Sequence, residues 1–253
     1  MAHQNSLEHI VNMFRSFVVH GKVPLFLIIC TLIPLVKDNL GDLASSTNYR
    51  AIAISSLLMK LLDWVFILLE SDKLTLDELH YGYQANTSTS MCTWTVTAVV
   101  DYYNRNGKIV YGCAADMSKA FDMVSWRPLF KDLVDRGISP IFLRVLLYIY
   151  TKQTCDIIWN NHYSRRFSIT NGVRQGAISS PILFNIYIDK LVKRLRILGI
   201  GCRIGGHFVG IVTYADDLFL LSASRMGLQA MMSECENFGQ QYNLKFSTNE
   251  IRL

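Results

Sequence analysis

The sequence predicts an α+β fold, an antiparallel sheet with helices on one face, and three observations point to it. Two short apolar strands, residues 208–213 and 218–221, flank the tetrapeptide Tyr214-Ala215-Asp216-Asp217 and make it the tip of a hairpin. About one hundred residues upstream, residues 109–115 form a continuous apolar run that ends on Asp116, as a buried strand would. Ser-Pro pairs at Ser139-Pro140 and Ser180-Pro181 open helical segments, a cap residue followed by proline in the first turn. Strand, helix, long helix, hairpin and helix in that order give segregated layers rather than a parallel βαβ alternation.

The elements follow in order. Leu7, Ile10, Val11, Phe14 and Phe17 have helical spacing, so residues 6–19 read as a helix that stops at Gly21. Residues 25–35 are strand-like, 39–48 are polar and loop-like, and 52–69 read as a helix. After the Asp116 strand, Ser125 and Pro128 open a helix that closes near Gly137, and Ser139-Pro140 opens another through Tyr150. Residues 154–159 and 163–169 flank Asn160-Asn161-His162 as a hairpin. A long helix then runs from Ser180-Pro181 to about Leu198. The Gly199, Gly201, Gly205 and Gly206 cluster lacks a following helix and reads as a connector, not a phosphate loop. A helix over 226–242 and a short strand over 244–246 end the pattern.

At 253 residues and 51% hydrophobic, the chain can bury a full core, and no internal repeat or Pro/Gly/Ser-rich linker divides it. The formal charge of +5 and pI near 8.9 support nucleic-acid binding only weakly. Placement says more: Lys190, Lys193, Arg194 and Arg196 cluster on one helix, and Arg165-Arg166 lie beside a short hairpin. The apolar runs 23–36 and 57–69 are too short to cross a membrane, being broken by Pro24 and Pro34 and by Lys60 and Asp63. No signal pattern opens the chain. The six cysteines form no Cys-x-x-Cys pair and read as reduced core residues of an intracellular protein. Nothing separates nucleus from cytoplasm or fixes an oligomeric state.

Two adjacent carboxylates on a tight turn repel each other by about 1 kcal/mol at 4 Å in water, and more as the site dries. A divalent cation removes that penalty, and a few hard oxygen ligands on a rigid turn suit Mg²⁺ that also holds substrate phosphates. With Asp116 as a third carboxylate, the set can hold two Mg²⁺ ions for an in-line displacement at phosphorus. The expectation is that Asp116, Asp216 and Asp217 converge.

The chain resembles the reverse transcriptase domain of non-LTR (LINE-type) retrotransposons. Asp116-Met117-Ser118-Lys119-Ala120-Phe121-Asp122 is similar to the family's first catalytic block, and Tyr214-Ala215-Asp216-Asp217 to its catalytic hairpin. The run from Gly172 through Gln175-Gly176 to Pro181 is similar to its Gln-Gly block. Upstream, 32–37 with Asn48-Tyr49-Arg50 resembles the fingers blocks, and Tyr81-Gly82-Tyr83-Gln84 with Ser88-Thr89-Ser90 the segment before the palm. The resemblance runs from about residue 17 to 253. It implies polymerase fingers, mainly 17–100 and about 150–170, and a palm at about 101–149 and 171–253, with no thumb.

The resemblance further implies an RNA template, a DNA primer and dNTPs as partners, no membrane, and two Mg²⁺ ions, or Mn²⁺ in their place. Asp116, Asp216 and Asp217 would be the catalytic metal ligands. Lys37 and Arg50 would reach the triphosphate, and Gln175-Gly176 would let backbone approach the nucleotide. Phe121 would be the gate that excludes a 2′-hydroxyl, while Arg165, Arg166, Lys190, Lys193 and Arg194 would contact nucleic-acid backbone. Three departures stand out: Ala51 where the family has Pro, Ala177-Ile178-Ser179 before Pro181, and Glu250 where a Lys is usual. The alternative is a truncated or decayed relic that at most binds nucleic acid.

Overall fold

A computed structural model describes residues 2–252, with side chains described for 7–247. The elements in chain order are α1 (Ala2–His20), β1 (Ile29–Val36), β2 (Tyr49–Ile54), α2 (Leu57–Leu69), α3 (Thr89–Arg105) and β3 (Tyr111–Met117). Next come α4 (Ala120–Met123), α5 (Trp126–Asp135), α6 (Pro140–Lys152), β4 (Thr154–Trp159), β5 (His162–Tyr163) and β6 (Phe167–Ser168). The remainder is α7 (Ser180–Leu198), β7 (Arg203–Ile204), β8 (His207–Phe208), β9 (Ile211–Tyr214), β10 (Asp217–Ser222), α8 (Arg225–Tyr242) and β11 (Phe246–Arg252).

The chain divides into two compact units, residues 1–74 with 130–180, and residues 75–129 with 181–253. The first unit is built on a sheet ordered β2-β1-β4-β5, with β6 also paired to β4. β1 and β2 are antiparallel, whereas β1 and β4 run parallel, with Cys30 opposite Cys155. The second unit carries a four-stranded antiparallel sheet, β11-β3-β10-β9.

Alternation sets the two faces of the second sheet. Cys113 and Leu220 are register partners and point to one face, where Cys235 of α8 lies close enough for the two thiols to interact. Asp116, Asp217 and Phe219 share the other face. There α3 packs through Val96, Val99 and Tyr103 against Phe219 and Leu221. The expected covering of one face is met by α8, and α3 adds a partial cover to the opposite face. A methyl-by-methyl cost explains the core's hold: a buried side chain such as Leu220 or Met231 contributes about 1.5–3 kcal/mol.

Several sequence expectations are corrected. Residues 52–54 belong to β2, not to the start of a helix, and α2 begins only at Leu57, where the Ser56 hydroxyl accepts from the Met59 N–H at 3.3 Å. Residues 25–27 form a 3₁₀ turn before β1. The glycine-rich connector contains the small hairpin β7-β8. The cysteines are not all reduced: Cys30 and Cys155 form a disulfide, joined because parallel register places them side by side. Cys92, Cys113, Cys202 and Cys235 are free thiols, and burial pushes Cys202 up to about 11 and Cys235 up to about 12. Among the described residues, no helix is long and apolar enough to cross a membrane.

Candidate active site

The second unit brings two of the three aspartates together. Asp217 opens β10 and is the register partner of Asp116 on β3, so their Cα atoms are about 4.5–5.5 Å apart. Asp217 also pairs with Tyr214, which closes the hairpin with Ala215-Asp216 as a two-residue turn. Asp216 therefore stands on the turn and not in the ladder. Ala215 has φ +56°, a left-handed conformation that costs a non-glycine residue about 1–2 kcal/mol. Turns of this length match the twist of the flanking strands only with a positive φ, so the hairpin's geometry imposes it.

Asp116 and Asp217 are exposed and Asp216 is half-buried. Partial burial, and then the charges of Asp216 and Asp116, hold the Asp217 carboxyl above its ordinary value. Like charges are thus held together by backbone register, against their own repulsion. Among the described residues, no three His, Cys, Asp or Glu side chains are gathered closely enough to hold a metal ion by themselves. The donor set still suits Mg²⁺, which binds through one or two carboxylates and completes its shell with water and substrate phosphates. Beside the carboxylates lies a cavity of about 580 Å³, lined by Asp116, Asp217, Tyr214, Phe219 and Ser247 of the sheet and by Cys92, Thr93 and Val96 of α3. Cys92, Thr93 and Val96 of α3 belong to no motif that sequence reading singled out. Ser247 is the β11 register partner of Asp116.

Phe121 belongs to α4, which follows Lys119 in a left-handed conformation. Its ring is half-buried and stacks on fully buried Phe184 of α7, centroids 4.8 Å apart and planes at 15°. One face is fixed by packing, as a steric wall requires. Glu250 pairs through its backbone with Cys113 in the β11–β3 ladder, and its side chain lies outside the described residues.

The remaining nucleotide candidates lie in the first unit. Arg50 is opposite Leu35 in the β1–β2 ladder, and Lys37 follows the end of β1, its N–H donating to the Asn48 carbonyl at 2.9 Å. Both are exposed, and the Lys37 ammonium donates to the Thr47 carbonyl at 3.1 Å. Gln175 is half-buried, and its carbonyl accepts from the Ala53 N–H of β2 at 2.7 Å. Gly176 has φ +109°, and a Cβ there would meet the Ala53 carbonyl oxygen at 2.5 Å. Only glycine suits that position. Arg174 and Asp63 are buried in the same unit, with burial first holding the Asp63 carboxyl above its ordinary value against the lowering effect of Arg174.

The basic residues expected on α7 meet partners within their own unit. Lys193 pairs with Asp189 at 2.6 Å, and Arg196 with Asp77 at 2.6 Å. Arg194 reaches Glu234 at 3.4 Å and Gln241 at 2.7 Å and lies over the Phe238 and Tyr242 rings. Arg194 and Arg196 tie α7 to other parts of its unit, Lys193 pairs within the helix, and Lys190 is half-buried beside them. Arg165 and Arg166 are exposed, with Arg166 3.7 Å from Asp156.

A carboxylate ladder at a hairpin turn, carried on an antiparallel sheet backed by helices, defines a right-hand polymerase of the fingers-and-palm type. The solved telomerase from Candida tropicalis, truncated from its C-terminal domain, superposes with a TM-score of 0.63 over 91% of this chain and 51% of its own, at 15% identity. Telomerase from Candida albicans superposes at 0.61, covering 94% of this chain and 45% of its own, at 10% identity. The chain belongs to the reverse transcriptase (RNA-dependent DNA polymerase) family, whose model matches residues 37–252. Its curated relatives include non-LTR retrotransposon proteins. The Pol polyprotein of type-2 retrotransposable element R2DM of Drosophila melanogaster is 26% identical over 80% of this chain and 19% of its own length. Those of type-1 element R2 from Popillia japonica and Nasonia vitripennis are 29% and 25% identical, over 87% and 95% of this chain. The chain spans only 31% and 23% of those two relatives' length.

Proposed function

We propose that the chain is the polymerising module of a retrotransposon reverse transcriptase, extending a DNA primer 3′-hydroxyl with dNTPs on an RNA template. The observation that carries this reading is the register pairing of Asp116 with Asp217, with Asp216 on the adjoining turn. Bound divalent metal, two Mg²⁺ ions in this proposal, would lower the nucleophile's pKa and offset charge on the transferring phosphoryl group. Asp116 and Asp217 would hold it from facing strands, with Asp216 contributing from the turn. Neutral water alone leaves those carboxylates in mutual repulsion, which is the electrostatic condition a cation relieves.

The other residues act on the nucleotide and the strands. Lys37 and Arg50 supply charge for the triphosphate, where guanidinium can bind phosphate in a bidentate fork. Gln175 offers an amide and Gly176 a bare backbone for close approach. Phe121, braced on Phe184, limits the space available at the sugar. Arg165 and Arg166 remain proposed backbone contacts, since both are exposed.

Primer extension on an RNA template tests the proposal. Incorporation of dNTP should require Mg²⁺ or Mn²⁺ and stop on chelation. A chain that binds primer–template yet incorporates nothing under any metal condition would favour the decayed relic, for which the Glu250 departure is the specific argument.

A further inference from the structure

Strand β9 is the last named strand of the carboxylate sheet, but its outer edge is occupied. The Thr213 N–H donates to the Leu79 carbonyl at 3.0 Å, and the Tyr81 N–H donates to the Thr213 carbonyl at 2.8 Å. His80 and Thr213 thus form a parallel bridge. The Thr213 hydroxyl lies 3.2 Å from the Leu79 carbonyl and 2.9 Å from His80 Nδ1. His80 is 2% exposed, with Nε2 3.5 Å from an Asp189 oxygen. The Tyr81 hydroxyl meets Thr95 of α3 at 3.0 Å, and Asn185 of α7 donates to the Gly82 carbonyl at 2.7 Å. Further on, the Thr87 hydroxyl donates to the Tyr81 and Gln84 carbonyls, and the Gln84 amide donates to the His80 carbonyl. Residues 79–87 are therefore a tied segment, anchored on α3 and α7.

What that segment presses against is the carboxylate turn. A Cβ on Gly82 would stand 2.4 Å from the Ala215 nitrogen, 3.1 Å from the Tyr214 carbonyl carbon and 3.2 Å from the Ala215 Cα. All three are backbone atoms with no rotamer to move. Ala215 is the residue held at φ +56°, immediately before Asp216 and Asp217. A strained turn persists only where its surroundings over-determine it. We infer that residues 79–82 position the carboxylate turn, with Gly82 as the backing against Ala215 and Thr213, His80 and Asn185 as its anchors. The inference rests on the polymerase reading for its kinetic consequence. Its structural consequence stands apart from that reading: without the backing, the Ala215 peptide is free to rotate and the carboxylates lose their fixed direction.

The test compares wild type, Gly82→Ala, Ala215→Gly and the double variant in the chain of 253 residues. Three quantities are read: Mn²⁺ binding by electron paramagnetic resonance, amide exchange over residues 213–218, and dTTP incorporation on poly(rA)·oligo(dT). A misplacement near 1 Å costs up to about 100-fold in rate, so G82A should lower kcat by about that factor, with the KM for dTTP within about threefold. Half-saturating Mn²⁺ should rise about tenfold, a weakened carboxylate grip. Exchange should quicken at 213–218 and not elsewhere. Ala215→Gly leaves the backbone nitrogen that the new Cβ meets in place, so the double variant should stay as impaired as G82A, while A215G alone, with Gly82 still behind the turn, should bind Mn²⁺ as wild type does. A G82A variant that matches wild type in Mn²⁺ binding and local exchange overturns the inference, and so does a loss of protection spread over the whole unit. Should G82A not fold, Asn185→Ser keeps Gly82 and loosens its carbonyl, and unaltered exchange at 213–218 in that variant would equally overturn it. If wild type itself incorporates no dTTP, the polymerase reading fails, while local exchange still decides the positioning role.

Discussion

In the second unit, Asp116 and Asp217 are fixed by ladder register and their turn is backed by Gly82, whereas in the first unit Lys37 and Arg50 project from an exposed hairpin. The difference follows from the tasks proposed for them. Carboxylates that share metal ions must stand at fixed separation, and two neighbouring strands give that with no side-chain freedom beyond a short Asp. Long cations that meet a triphosphate need reach and charge, and an exposed strand end leaves their stems mobile. Gly176, beside Ala53, is the first unit's counterpart to Gly82: in both places an added Cβ would stand within 3 Å of a backbone atom of the facing segment.

The sharpest break of this comparison is Asp217→Asn. If the second unit does the chemistry, nucleotide incorporation should fall by at least about 10³-fold, or some 4 kcal/mol of transition-state stabilisation. Thermal stability should hold or rise, because the variant removes a charge repelled by Asp216 and Asp116. Primer extension with a parallel melting curve reads both. A large drop in melting temperature would mean that the carboxylate supports the fold, and the contrast between the units would lose its basis.

Much of the second unit was legible because chemistry and pattern coincide there. An apolar run ending on Asp116 and an apolar hairpin tipped by Asp216-Asp217 can be read as strands, and antiparallel closure then brings two of the carboxylates into register. Ser-Pro starts located α6 and α7 for the same local reason. What escaped was non-local. Residues 49–54 alternate weakly and share isoleucine and alanine with a helix, so pairing with β1 decides their state. Only Val99 and Tyr103 of α3 are fully buried, a stripe too narrow to announce a helix among its threonines. Cys30 and Cys155 are 125 residues apart, and only the parallel register shows them together. The partners of Arg194 and Arg196 were not visible because Asp77, Glu234 and Gln241 are distant in sequence.

A smaller effect sharpens the role of Phe121. Its ring is braced on one side by Phe184 and only half-buried, so Phe121→Val should enlarge the space beside the sugar without emptying the core. Relative incorporation of ribonucleotide over deoxynucleotide should rise by about tenfold, equivalent to about 1.4 kcal/mol of discrimination. The ratio of the two incorporation efficiencies is the measurement. An unchanged ratio with a stability loss of about 1–3 kcal/mol would return Phe121 to a packing role alone.

The smallest expected effect contrasts two buried aspartates, one in each unit. Burial raises the Asp63 carboxyl above its ordinary value, and Arg174 and the Ser179 hydrogen bonds reduce that rise without cancelling it. At Asp189 burial again acts upward, but the Lys193 ammonium, the Asp77 N–H and the His80 ring outweigh it and hold the carboxyl below its ordinary value. Linkage then gives opposite signs. A raised folded-state pKa means Asp63 favours the fold below the unfolded carboxylate value, near 3.9, and that contribution is lost as pH rises through the higher folded value. A depressed one means Asp189 contributes above that value and loses its contribution as pH falls through the lower folded value. At pH 7, Asp63→Asn should therefore leave the melting temperature level or raise it, since an amide carries no buried charge. Asp189→Asn should lower it, because the amide faces Lys193 where a carboxylate stood. The Asp63 difference should shrink as the pH is brought from 7 toward 4, as protonation makes the wild-type aspartate resemble its amide, whereas the Asp189 difference should persist over that range and shrink only below about 3.9. Melting curves of the two variants across that range decide the matter. Shifts of the same sign at pH 7 would show that Arg174 compensates Asp63 as fully as Lys193 compensates Asp189, and that the two units bury their charge by one rule.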